Sequence, residues 1–153
     1  MEAKDHLHLG NSYNEKGMLD AALAEYRRAI ELDPALVEAH YNIGRTYVIK
    51  GAFDEAMASL QRTLVLDPDH PEARFSLGLC YEKKGMLQEA VEEWKKSIEA
   101  NPFFAFAYIK LAWACYKKGD YKSAMGYADK AMEIGHQPSP QLLEALKPYR
   151  GSE

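Results

Sequence analysis

Apolar positions along this chain recur at steps of three and four, the spacing of one face of an α-helix. Leu77, Cys80, Tyr81 and Lys84 share one such face, and Ala90, Val91, Trp94 and Ile98 repeat the step after Gly85. A glycine between two helical runs marks the end of the first, because glycine accepts the left-handed conformation found past a helix C-terminus. The whole arrangement returns every 34 residues. Pro34, Pro68 and Pro102 keep that step, as do Gly10, Gly44 and Gly78, with Ala112 next in register. Gly17, Gly51, Gly85 and Gly119 form a column of four, and so do Ala22, Ala56, Ala90 and Ala124. Leu9, Ile43, Leu77 and Leu111 make an aliphatic column, and Tyr13, Tyr47 and Tyr81 an aromatic one with Cys115 in register.

Each unit therefore reads as a helix, a tight turn, a second helix and a short loop. Asp33-Pro34 and Asp67-Pro68 end the second helix of their units, since proline keeps the preceding residue out of the helical region. Lys16, Lys50, Lys84 and Lys118 stand just before the turn glycines, where a cation favours the helix dipole, and are read as solvated helix ends. Units of this kind cannot bury an apolar face alone, so stacking on neighbours supplies the stability. Gly and Ala columns let helices approach closely, and Leu, Tyr and Trp fill the space between units. After the last unit, Ser139-Pro140 is a helix start, with Ser as cap and Pro in the first position. Leu142, Leu143, Leu146 and Tyr149 then form one apolar face. Residues 139–149 are expected to cover the open end of the stack, and no equivalent cap precedes the first unit.

The second unit reads His40-x2-Ile43-Gly44-x2-Tyr47, then Ala56-x3-Leu60, then Pro68. The third reads Arg74-x2-Leu77-Gly78-x2-Tyr81, then Ala90-x3-Trp94, then Pro102. This resembles the tetratricopeptide repeat (TPR) family over residues 3–137. The fold expected is all-α: a right-handed α-solenoid of four helix–turn–helix units (3–36, 37–70, 71–104 and 105–138) with a C-terminal capping helix at 139–149, in a single domain spanning 1–153.

Composition narrows the function classes. The chain has 153 residues, net charge −4 and 47% hydrophobic content. That balance provides no basic field to gather nucleic acid, and Lys83-Lys84, Lys95-Lys96 and Lys117-Lys118 are local pairs flanked by glutamates rather than a continuous stripe. No apolar run reaches the ~20 residues of a membrane span. Cys80 and Cys115 are too few for a disulfide framework and read as core filler, which favours a reducing, cytoplasmic setting. The motifs of phosphate loops, zinc hydrolases and serine hydrolases are absent, so no enzyme activity, metal or cofactor is expected. His6 and His40 share a column and are read as structural histidines.

The resemblance implies a concave groove, lined by the first helix of each unit, that binds peptides. The candidate lining is Asn11, Tyr41, Asn42, Arg45, Phe75, Leu79, Phe106, Ile109, Lys110, Trp113, Tyr116 and Lys117. The clamp that some TPR domains use for chaperone carboxylate tails would fall on Leu7, Asn11, Asn42, Glu72 and Ser76. Its three cations are missing, which disfavours that ligand. The last unit is instead rich in rings: Phe103, Phe104, Phe106, Trp113 and Tyr116. Trp113 and Phe106 are read as anchors for an apolar, partly acidic peptide or helix of a partner protein, lying between Arg45 and Lys117. The alternative is a self-assembling scaffold that uses the uncapped first unit or the groove for contacts with other copies of the chain.

Overall fold

The computed structural model describes residues 1–151, and among them every regular element is helical. Four antiparallel pairs follow one another: α1 (Ala3–Glu15) with α2 (Leu19–Leu32), α3 (Val37–Lys50) with α4 (Phe53–Leu66), α5 (Pro71–Lys83) with α6 (Leu87–Ala100), and α7 (Ala105–Lys117) with α8 (Tyr121–Glu133). A short α9 (Pro140–Leu146) and one 3-10 turn (Lys147–Tyr149) close the chain. The second helix of each pair packs on the first helix of the next, which makes a solenoid.

The turn within each pair depends on its glycine. Gly51 caps α3 at φ 75°, a left-handed conformation that a side chain strains. Across each pair a small residue faces a large one. A Cβ added at Gly10 would lie 2.5 Å from the ring of Tyr26, and one at Gly44 would lie 2.8 Å from Leu60. Gly78 leaves the same room for Trp94. Tyr26, Leu60 and Trp94 are consequently 0% exposed. The two polar-tipped rings also find acceptors: Tyr26 Oη donates to Asn11 Oδ1 at 2.8 Å, and Trp94 Nε1 to the Phe75 carbonyl at 3.3 Å. In the last pair the sizes change. Ala112 faces a core that contains Ala128, and Leu142 and Leu146 of α9 complete that core, all four fully buried.

The loops between pairs are built alike. Asp33, Asp67 and Asn101 each accept a bond at Oδ1 from the amide two residues on, at 3.1, 3.3 and 3.0 Å, the local turn that short polar side chains make with their own backbone. A side chain six residues beyond each loop proline then donates to that proline's carbonyl: His40 to Pro34 at 2.8 Å, Arg74 to Pro68 at 3.1 Å, and Tyr108 to Pro102 at 3.0 Å. Three side-chain types serve one geometric role.

The lysines before the turn glycines are not all solvated. Lys50 bridges to Asp20 and Lys84 to Asp54, each at 2.5 Å and each tying one pair to the pair before it. The hydrogen bond and charge of Lys50 hold the Asp20 carboxyl below its usual range, and Asp54 raises the Lys84 ammonium. Position 88, in register with Asp20 and Asp54, is Gln88, so Lys118 lacks the corresponding acid.

The C-terminal segment caps the stack as expected. Ser139 Oγ accepts from the Leu142 amide at 3.3 Å. Tyr149 stacks on Tyr121 with ring centroids 3.6 Å apart, and Arg150 pairs with Asp129 at 2.6 Å.

Candidate peptide-binding groove

Because α1, α3, α5 and α7 run side by side, residues 34 apart form rows that cross all four helices. One row is Lys4, Glu38, Glu72 and Phe106; the next is Leu7, Tyr41, Phe75 and Ile109; a third is Asn11, Arg45, Leu79 and Trp113. The first and third rows change from polar to apolar or aromatic toward α7, while the second is apolar or aromatic throughout. The face is therefore polarised along the stack.

At the polar end, Asn11 Oδ1 accepts from both Tyr26 Oη and Asn42 Nδ2, the latter at 2.9 Å. Asn42 is only 8% exposed. The two asparagines thus fasten α1 to α3, and Asn42 is not a free ligand group as expected from the sequence. Arg45 is exposed beside Tyr26 and Tyr41. Burial pushes both tyrosine hydroxyls above their ordinary pKa, against the pull of the Arg45 guanidinium. Tyr26 spends its proton on Asn11, so the exposed donor at this end is the Arg45 guanidinium, suited to an acceptor on a partner.

At the apolar end, Phe75 meets Phe104 at 5.2 Å and Phe106 at 6.3 Å between ring centroids. Phe106 touches His136 at 4.7 Å while staying 52% exposed. Four rings from α5, the loop before α7, α7 itself and the segment after α8 therefore form one cluster. Phe104 and His136 were absent from the expected lining. A signal for Phe104 existed in its place beside Phe103 and Phe106, but His136 sits outside the repeat pattern. Leu79 is half-buried against the same core as Phe75.

Three further expectations need correction. Lys110 is not a free cation: its Nζ donates to Glu82 Oε1 at 2.8 Å and lies 5.7 Å from the Trp94 ring centroid. Trp113 and Tyr116 are not free anchors. Both are half-buried with Ile109 against the core that contains Leu142 and Leu146, and their rings meet edge-on at 5.8 Å. Covering the end of the stack draws these side chains inward. Lys117 and Arg45 remain the exposed cations of the proposed lining.

His6 bonds Glu25 at 2.7 Å, and His40 is occupied by the Pro34 carbonyl. His6 is thus engaged within its own repeat, and His40 by the loop that precedes its helix. Among the described residues no three His, Cys, Asp or Glu side chains converge on a metal-sized space, and no helix is long and apolar enough to cross a membrane.

Solved structures of MamA proteins share this architecture. One is 30% identical with a TM-score of 0.79, covering 86% of this chain and 77% of that one. A second is 27% identical with a TM-score of 0.77, covering 94% and 76%. A MamA structure from Desulfovibrio magneticus RS-1, at 21% identity and TM-score 0.76 over 87% and 75%, shows the fold alone. No curated protein matches the sequence. A TPR repeat family model matches residues 10–48 and 44–85, and two tetratricopeptide repeat models match residues 71–104 and 107–142. With its glycine–knob packing, its stacked helix pairs and these matches, the chain belongs to the tetratricopeptide repeat family.

Proposed function

We propose that this protein-interaction scaffold binds a peptide or helix of a partner protein on its concave face, without catalysing a reaction. The observation that carries the reading is the exposed ring of Phe106, joined to Phe75, Phe104 and His136. The equivalent positions in the other three first helices are Lys4, Glu38 and Glu72. The helix forms with polar residues there, so folding does not require the ring. Exposed aromatics clustered in this way are the anchors that interfaces use. Arg45 supplies a polar contact farther along the face.

Affinity capture with the wild type and a Phe106→Ala, Phe75→Ala variant tests this reading. The expected outcome is selective loss of a captured protein with a preserved helical melt; an unchanged capture profile overturns it. For self-assembly, the outer face of the first pair is a poor surface. Asp5 occupies the position at which Ala39, Ala73 and Ala107 are each 0% exposed against the preceding pair. Its carboxylate instead accepts the Glu2 amide at 2.7 Å. Stacking another pair there would bury that charge. A light-scattering concentration series measures any self-association through the groove.

A further inference from the structure

Phe103 is 73% exposed, and the fold does not ask for a ring there. Its amide is held by Asn101, as the amides of Ala35 and Asp69 are held by Asp33 and Asp67. The same turn thus presents Ala35, Asp69 and Phe103 to solvent in successive loops. Tyr108 bonded to the Pro102 carbonyl fixes the loop, so the ring is displayed on a rigid mount. Phe106, one helical turn away on α7, is likewise an aromatic substitute for a polar residue. Both rings are exposed near the start of α7, at the edge of the molecule where the loops between pairs lie.

Acids predominate along this edge; Arg74, which reaches back to the Pro68 carbonyl, is paired with Glu93, as Arg28 is with Glu31 and Lys130 with Glu133. The segments 31–38, 65–73, 99–109 and 131–139, which make that edge, contain eight acids and no lysine or arginine. Glu38 and Glu72 lie in the same row as Phe106. Among the described residues Glu38 has no ion-pair partner, and Glu72 has only His70, at 3.5 Å. Asp33 and Asp67 spend one oxygen each on their turns. A partner crossing this edge from α7 toward α3 meets rings first and carboxylates next.

We propose that this loop edge docks a basic amphipathic segment of a partner protein, with an apolar side chain on Phe103 and Phe106 and lysine or arginine against Glu72 and Glu38. The proposal rests on the reading that the concave face binds a protein segment, and it specifies that segment's charge. Opposite charge steers encounter and sets register, while the rings supply contact area. An acidic segment would place like charges together on this edge.

Two synthetic helical peptides with one apolar pattern test it, one carrying lysines and the other glutamates at every polar position. Binding to the full chain is measured by calorimetry at low and high salt. The lysine peptide is expected to bind at least tenfold more tightly than the glutamate peptide, and to weaken in high salt because exposed charge pairs are screened. Phe103→Ser with Phe106→Ser, and separately Glu38→Lys with Glu72→Lys, are each expected to weaken it at least tenfold while the helical melt is preserved. Failure of the lysine peptide to bind, or equal binding by the folded double variants, overturns the proposal. Glutamate-peptide binding that is lost on Arg45→Glu also overturns it, and leaves the groove reading standing.

Discussion

Gly44 shows how much one residue position carries. A Cβ there would approach Leu60 to 2.8 Å and the Ala56 carbonyl oxygen to 3.3 Å. Leu60 can shift its side chain, but the backbone oxygen cannot move without bending α4. Gly44→Leu is therefore expected to cost about 1–3 kcal/mol by overpacking, read as a lower denaturation midpoint in urea. An unchanged midpoint would argue against close packing at this point. Cys80 makes a second residue-scale case. It is fully buried, and burial pushes its thiol to about 11, above the 9.0 of a free thiol. The folded chain keeps the proton that the unfolded chain releases, so the stabilisation is complete below pH 9 and falls as pH rises through 11. At pH 8 Cys80 is expected to react with a maleimide far more slowly in the native than in the urea-unfolded protein; comparable rates would contradict its burial.

At the scale of elements, the decisive one is α9. Leu142 and Leu146 occupy the hollow beside Ala112 and Ala128, where the other pairs have their own Tyr26, Leu60 or Trp94. Leu142→Ala is expected to destabilise the protein by about 2–5 kcal/mol, observed by thermal melting. It also loosens Trp113, which packs on that core, so its fluorescence should shift to the red before global unfolding. The covering role of this helix was legible in Ser139-Pro140 and the leucine spacing. The helix pairs were equally legible, because a 34-residue period states one local structure repeatedly. The use of the side chains was less so. Lys110, Asn42 and Trp113 occupy groove positions by register, yet Glu82, Asn11 and the cap engage them. Register tells which way a residue points along a helix. Whether a neighbour claims it depends on partners 28 or 31 residues away, and a column of similar residues does not encode those.

For the whole molecule, the net charge of −4 conceals a division across its width. The edge of loops between pairs is acidic, whereas at the turns within pairs charges of both signs meet, Lys50 and Lys84 against Asp20 and Asp54 among them. Alternating helix direction sends every loop to one side and every turn to the other, so a modest bias in each connection accumulates over the stack. Bulk composition could not show this, because it does not say on which edge the acids stand.

The exchange of sizes in the last pair has a consequence for how such a chain can change length. Copying the second or third pair inserts a notch together with the knob that fits it, so the seam closes on itself. Copying the fourth inserts a notch already narrowed by the methyl of Ala112, with the small Ala128 opposite and no side chain to occupy the remaining gap. That copy would require a lid of its own at every recurrence. The stack is thus extensible from its middle and sealed at its end, by a difference of a few carbon atoms at two positions.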